Sequence, residues 1–167
     1  MHTSEDFFSM IDEISQYLSL ANCFVDEDGE PQVMLVFNDN NQVEVIFDEV
    51  SQQYTFKGVI QISEEISMAD WMLAYVKMLL FNDLSEVTQG TRVGLSAPMG
   101  DALLIYHEHC QLLTIPRMIS IVQGVAEQAK KWENLIVTGE PIDDLDFSCF
   151  ENSLQQNNDE LDFALKL

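Results

Sequence analysis

Residues 33–62 alternate between strongly apolar and other side chains over three consecutive runs, and this period constrains the fold more than any other feature of the chain. The runs are 33–37, 43–48 and 54–62, and polar reversals at 38–41 and 51–53 separate them. A period of two places successive side chains on opposite faces of a strand. The pattern therefore predicts a three-stranded antiparallel meander with one clearly apolar face.

Three stretches of helical periodicity surround this meander. The first begins at a cap on Ser4 and runs for about four turns, the second begins after Ser67, and the third begins at Thr114 with Pro116 in its first turn and ends at Gly139. Two more predicted strands, 91–97 and 102–110, precede the third helix. The order α-β-β-β-α-β-β-α predicts an α+β fold in which helices pack an antiparallel sheet.

The composition changes after residue 139. Residues 140–167 hold eight acidic side chains and one basic side chain, Lys166. We therefore predict a single α+β domain over residues 1–139 and an acidic, mostly disordered tail over residues 140–167. The tripeptide Leu-Asp-Phe occurs twice in this tail, at 145–147 and 161–163. Chance, a short docking motif and a flap that covers the domain all remain open as its explanation.

The charge of the chain restricts the classes of molecule that we expect it to bind. It has 29 acidic and 7 basic residues and a net charge of −22, which repels nucleic acid phosphates and anionic lipid headgroups. We expect neither nucleic acid nor membrane as a partner, and the charge serves either solubility or the attraction of a basic partner. Three widely spaced cysteines without a C-x-x-C pair, and no signal-like or membrane-spanning stretch, predict a cytoplasmic location.

The search for catalytic chemistry finds one cluster to weigh. His107 and His109 alternate on a predicted strand, so they share a face and could approach one metal ion. Two ligands do not complete a site, and a metal-dependent enzyme is the weaker alternative. No nucleotide-binding glycine motif is present, and the adjacent acidic pairs indicate solvated charge. We predict a protein that is not an enzyme and that uses no cofactor or metal.

Apolar side chains exceed what one face of the meander needs. Its second face carries Met34, Val36, Ile46 and Val59 among charged residues, and the second helix has an unusually broad apolar stripe. Either another part of the domain covers these side chains or a partner protein does. In the second case we predict that these four residues, with Phe8 of the first helix, bind a client chain that also pairs with a sheet edge.

Several parts of the chain resemble the class I type III secretion effector chaperones, the Tir-chaperone-like family. The resemblance spans about residues 4–139 and is carried by diffuse patterns. These are the helix with Phe7, Phe8 and Ile11, the acidic turn before residues 33–37, the hairpin of residues 94–96 and 102–106, and the helix end at 126–132.

This resemblance implies a bacterial, virulence-associated homodimer that binds the N-terminal region of a secreted effector in extended form, keeps it export-competent without ATP, and delivers it to the secretion machinery, whose ATPase is a further expected partner. It also implies a dimer contact built from the second helix and the strand after it: Trp71, Met72, Tyr75, Met78, Val93 and Leu95. A regulatory or protein-binding module of the same fold, not tied to secretion, is the alternative.

Overall fold

A computed structural model of the protein describes residues 2–26, 31–62, 67–83, 88–96, 101–138 and 150. Its elements follow one another as α1 (Ser4–Ser15), β1 (Leu20–Asp26), β2 (Gln32–Phe37), β3 (Gln42–Asp48), β4 (Gln53–Ile60), α2 (Met68–Asp83), β5 (Arg92–Leu95), β6 (Ala102–His109), a short 3-10 turn (Cys110–Leu112) and α3 (Ile115–Thr138). The predicted α+β fold, with helices packed on an antiparallel sheet, is confirmed.

The sheet has six strands in the order β1-β2-β3-β4-β6-β5, and every neighbouring pair is antiparallel. The sequence predicted five of these strands and missed β1. The reason is that β1 lies at the edge of the sheet and its residues 21–25 are all exposed. A strand that buries neither face leaves no alternation between apolar and polar side chains to detect.

The helix caps agree with the predictions in two cases out of three. Ser67 accepts a hydrogen bond from the N–H of Asp70 at 3.2 Å, and Thr114 accepts one from the N–H of Arg117 at 3.4 Å. In α1 the cap is Thr3 rather than Ser4, because Thr3 and Asp6 bond each other reciprocally. This helix ends at Ser15, so it is shorter than the predicted four turns.

All three helices contribute to a core on one face of the sheet. Phe7 of α1 stacks on Phe47 with ring centroids 6.1 Å apart, and Phe81 of α2 meets Trp132 of α3 edge-on at 5.0 Å. The strand residues that face this core are buried, and they are Val33, Leu35, Val43, Val45, Phe47, Tyr54, Phe56, Ile60, Leu104 and Tyr106. The domain is therefore built from one layer of helices on one layer of sheet.

The predicted tail lies outside the described residues except for Phe150. This residue is buried, with its ring 4.7 Å from that of Tyr106 and its carbonyl oxygen 3.0 Å from Nη2 of Arg117. The two Leu-Asp-Phe tripeptides and the boundary at residue 139 fall in the part that is not described, so the domain division stays a prediction. No helix in the described part is long and apolar enough to cross a membrane.

Candidate functional site

One face of the sheet is left without helices, and we call it the open face. It is formed by the residues that alternate with the core positions, among them Phe24 of β1, Met34 and Val36 of β2, Glu44, Ile46 and Asp48 of β3, Thr55, Lys57 and Val59 of β4, Arg92 of β5, and Leu103, Ile105, His107 and His109 of β6. None of these side chains is buried. Among the described elements, the helices all pack on the opposite face.

Four of the five predicted client-binding residues lie together on the open face: Met34, Val36, Ile46 and Val59. Phe8 does not join them. It belongs to α1, where its ring meets that of Phe7 at 5.0 Å and packs against the core from the helix side. The sheet thus separates Phe8 from the other four, so a client that touches all five must pass around an edge.

Sequence reasoning missed three apolar residues of this surface. Leu103 and Ile105 stand opposite Val59 and Lys57 on the neighbouring strand, and Phe24 stands opposite Met34 at the other end. The side chain of Phe24 is 56% exposed. The alternation of residues 102–109 contained the signal for the first two, because it places them on the face of His107. Phe24 carried no signal, since β1 itself was missed.

The open face also carries basic side chains beside acidic ones. Lys57 pairs with Glu44 at 2.7 Å; His107 lies on the neighbouring strand β6 and Arg92 one strand further, on β5. Burial of the imidazole, together with the charges of Arg92 and Lys57, lowers the pKa of His107 below its ordinary value. Lys57, Arg92 and His107 surround the position of Ile105, so apolar and basic side chains meet at this point of the open face.

The two outer strands of the sheet differ in how their edges are protected. At β5, the side-chain oxygen of Asn82 accepts a hydrogen bond from the N–H of Val93, and the side-chain NH₂ of Asn82 donates one to the carbonyl oxygen of Val93, both at 2.8 Å. The neighbouring Thr91 donates its N–H to the carbonyl of Thr88. These contacts occupy the outward main-chain groups that another strand would need. The edge of β5 is therefore closed at its centre.

The edge of β1 is open within the described part of the chain. Phe37 donates its N–H to Asn41, so the odd-numbered residues of β2 turn their main-chain groups toward β3 and the even-numbered ones toward β1. The partners of those even-numbered residues are Asn22, Phe24 and Asp26. The main-chain groups of Cys23 and Val25 consequently point outward. A further strand could pair with them.

A second apolar surface lies on α2, and we call it the α2 surface. The helix buries Ala74, Met78 and Phe81 but exposes apolar side chains on its opposite side as well: Met68, Met72, Leu73, Tyr75, Val76, Leu79 and Leu80. The exposed fractions of these seven range from 38% to 77%. A helix that is apolar all round is normally buried in a protein interior or at an interface.

The residues predicted for a dimer contact divide into two groups on this surface. Met72, Tyr75 and Leu95 are exposed and Trp71 is half-buried. Met78 and Val93 are buried in the protomer, where they form the floor of a groove of about 360 Å³ between α2 and β5. Tyr75, Leu79 and Leu95 line the same groove. Met78 and Val93 would thus contact only a side chain that enters the groove.

The two histidines weighed as metal ligands have other contacts. His107 lies with its Nδ1 3.0 Å from the hydroxyl of Thr55, and Nδ1 of His109 accepts a hydrogen bond from the N–H of Gln111 at 3.2 Å. Both side chains are on the open face, as their alternation predicted. Within the described ranges, no group of three or more His, Cys, Asp and Glu side chains is arranged to hold a metal ion.

Comparison with known proteins gives this architecture a precedent. No protein-family model and no curated protein sequence matches the chain. The fold matches a chain in the crystal structure of the ExsC–ExsE complex with a TM-score of 0.67 and 14% identity, over 81% of this chain and 97% of that one. This match establishes the fold of the chain, which is the one expected from its resemblance to the class I type III secretion chaperones.

A second solved structure supports the same conclusion. A chain of the HopA1–SchA chaperone–effector complex matches with a TM-score of 0.58 and 14% identity, over 77% of this chain and 93% of that one. The resemblance predicted over residues 4–139 is confirmed at the level of the fold. Because the sequence identity is low, these matches establish only the architecture of this chain. The partners seen in the two complexes are partners of the proteins in those complexes.

Proposed function

We propose that this chaperone-like protein binds the N-terminal region of a secreted effector in extended form and keeps it soluble and export-competent without ATP. The open face carries the proposal. Its apolar side chains have no cover among the described elements, and the adjacent edge of β1 is unpaired there. Both are features that a foreign chain would complete. Its other expected contact is with the secretion machinery and its ATPase, in the cytoplasm, and the protein itself catalyses no reaction.

The mechanism has two parts that act on the same client. A client strand pairs with the outward main-chain groups of Cys23 and Val25, which provides affinity with little demand on sequence. Client side chains then pack on the open face around Met34 and Ile46. At ~25 cal/mol per Å², covering about 400 Å² of apolar surface contributes roughly 10 kcal/mol, and ordering the client consumes much of it. Binding is then tight and still reversible.

A change at Ile46 tests the client surface. The client is first identified by pull-down from the source cell followed by mass spectrometry, and its affinity is then measured by calorimetry. Ile46→Asp places a charge in the middle of the open face and should weaken client binding at least about tenfold, which is about 1.4 kcal/mol. Val50→Asp is the matched control, because Val50 is 96% exposed in the turn after β3 and lies outside this face.

The results separate the proposal from its rivals. Equal client affinity for Ile46→Asp and the native protein would exclude the open face as the binding surface. A captured partner that the cell never secretes would favour a binding module unrelated to secretion.

We also propose that the α2 surface forms a homodimer. The exposed side chains of Met72, Tyr75, Leu79 and Leu95 are its centre, with Trp71 at its margin. A stable interface buries about 1,200–2,000 Å², and an apolar helix side paired with its own copy supplies such an area efficiently. Light scattering should give a dimer for the native protein and a monomer for Met72→Asp/Leu79→Asp. A native monomer at micromolar concentration would refute this interface.

A further inference from the structure

The C-terminal part of the chain is fastened to β6 through Phe150. The ring of Phe150 is 1% exposed against Tyr106, and its carbonyl oxygen accepts hydrogen bonds from Nη2 of Arg117 at 3.0 Å and from the hydroxyl of Tyr106 at 3.5 Å. Arg117 is held in turn by the buried carboxylate of Glu108 at 3.1 Å. A buried ion pair that bonds a main-chain carbonyl fixes the position from which residues 151–167 begin.

That starting point lies beside a part of β6 that β5 does not reach. β5 pairs only with Ala102–Ile105, whereas β6 continues to His109. Cys110 donates its N–H to Gln52 on the β4 side, so the even-numbered residues of β6 bond β4 and the main-chain groups of His107 and His109 point outward. The open face is the other side of this same strand.

The sequence of the last residues complements the open face. Leu161, Phe163, Leu165 and Leu167 alternate with Asp162, Ala164 and Lys166, which is the two-residue period of a strand with one apolar face. Residues 151–167 carry four acidic side chains and one basic side chain. The open face offers apolar side chains together with the exposed guanidinium of Arg92, so apolar contact is matched and an acidic residue of the segment has a cation to pair with.

The length of the segment is sufficient. Seventeen residues follow Phe150, and an extended chain spans about 3.3 Å per residue, or roughly 55 Å. Passing from one face of a sheet to the other requires about 10 Å, and crossing all six strands at ~4.8 Å spacing requires about 24 Å more. Leu161, eleven residues beyond Phe150, can lie up to roughly 36 Å from this anchor, so residues 161–167 can reach the open face.

We propose that residues 151–167, anchored by Phe150, lie across the open face of the same molecule when no client is bound. Leu161 and Phe163 contact the apolar side chains around Ile105 and Ile46, and Asp162 lies near Arg92 and His107. The docking itself does not depend on the proposed function. Its consequence does: the segment competes with the client, so loosening it raises client affinity.

Methyl-labelled NMR of the full-length protein tests the docking without any client. In Leu161→Asp/Phe163→Asp the methyl signals of Met34, Ile46 and Ile105 should shift, whereas the core signals of Met118 should not. Gln155→Asp/Gln156→Asp adds the same charge to the tail outside the alternating run and should leave all these signals in place. Unmoved signals on the open face in the first variant would overturn the proposal.

Two further measurements identify the occupant. A synthetic peptide of residues 151–167, added to Leu161→Asp/Phe163→Asp, should restore the native positions of the open-face signals. Arg92→Glu should release the tail and reproduce the shifts of that variant, whereas Lys131→Glu on the exposed side of α3 should not. If the differences in methyl signals between the native protein and Leu161→Asp/Phe163→Asp disappear on dilution, the tail docks on a second copy and intramolecular docking is wrong.

Client binding then separates the two proposals. If the tail docks but its loosening leaves client affinity unchanged, the competition is refuted while the docking stands. If no secreted client is found, the proposed function fails and the NMR result is unaffected. If both proposals are correct, Leu161→Asp/Phe163→Asp binds the client more tightly than the native protein does. The factor is 1/f, where f is the fraction of native molecules whose tail is undocked.

Discussion

Replacing Gly58 by alanine probes the contact that fixes the helix layer on the sheet. A Cβ atom at this position would lie 2.8 Å from Cγ1 of Val125 and 3.0 Å from both the Cβ of Ala129 and the carbonyl oxygen of Val125. Real Cβ atoms do not approach other atoms to 2.8 Å, and one of the obstacles is main chain, which does not move away as a flexible side chain does. The helix α3 must therefore shift outward.

The expected cost follows from two opposing effects. Overpacking a core costs about 1–3 kcal/mol, and this contact belongs to the upper half of that range because backbone blocks relaxation. Alanine also restricts the unfolded chain and returns about 0.4–1 kcal/mol. The net loss for Gly58→Ala is about 2 kcal/mol. For a chain of this size, each kcal/mol lowers the melting temperature by about 2–4 °C, so we expect a decrease of about 4–8 °C.

Gly94→Ala is the matched control, measured by urea and thermal unfolding at one protein concentration. A Cβ there lies 3.3 Å from Cδ1 of Ile105, the flexible end of a side chain on the open face. This variant should equal the native protein in stability or exceed it by up to about 0.5–1 kcal/mol. Gly58→Ala/Val125→Ala should lose less than the sum of its single variants. A Gly58→Ala protein as stable as Gly94→Ala would refute the close-approach argument.

Three further predictions concern polar contacts. Asn82→Ala removes both hydrogen bonds to the edge of β5, and we expect a loss of about 1–2 kcal/mol in urea unfolding together with faster aggregation. Glu108→Leu leaves the largely buried guanidinium of Arg117 without its carboxylate and should cost about 3–5 kcal/mol, most of which Glu108→Leu/Arg117→Met recovers; an unrecovered loss would contradict this explanation. Arg92→Gln should raise the pKa of His107 in an NMR titration, because burial, Arg92 and Lys57 together lower it. Since a lowered folded-state pKa makes acidification below the ordinary value of 6.5 destabilising, this variant should lose less stability from pH 7 to pH 5 than the native protein.

Most of the fold was predictable because its elements bury one face and expose the other. The strands β2, β3 and β4 alternate in step with burial, and the apolar residues of α3 that recur at steps of three and four are all buried: Met118, Val122, Val125, Ala129, Trp132 and Ile136. The sequence did not predict two features, strand β1 and the end of α1. β1 exposes both faces, so its sequence carries no period, and the end of α1 is set by a turn that returns Leu18 to the core from outside the helix. Boundaries of this kind depend on tertiary packing rather than on local sequence.

The candidate site was predicted in part, for a related reason. Alternation assigned Met34, Val36, Ile46 and Val59 to the second face of the sheet, which is where they lie. Alternation could not predict whether a helix would cover that face, because this depends on where the loops between strands and helices place each helix. Nor could it distinguish Met78, which forms the floor of the α2 groove, from Met72, which is 63% exposed. Both lie on an apolar helix, and only the packed neighbours separate them.

The acidic charge and the uncovered surfaces are parts of one physical arrangement. A sheet that, among the described residues, has an apolar face without cover and an unpaired edge at β1 can pair with other copies of itself. The structure closes the edge of β5 with Asn82, and the net charge of −22 makes every unplanned encounter between copies repulsive. The same field would attract a client of the proposed kind if its bound segment is basic. Charge therefore acts on this chain at long range, whereas main-chain pairing at an edge and apolar contact, on the open face or on the α2 surface, act only at short range.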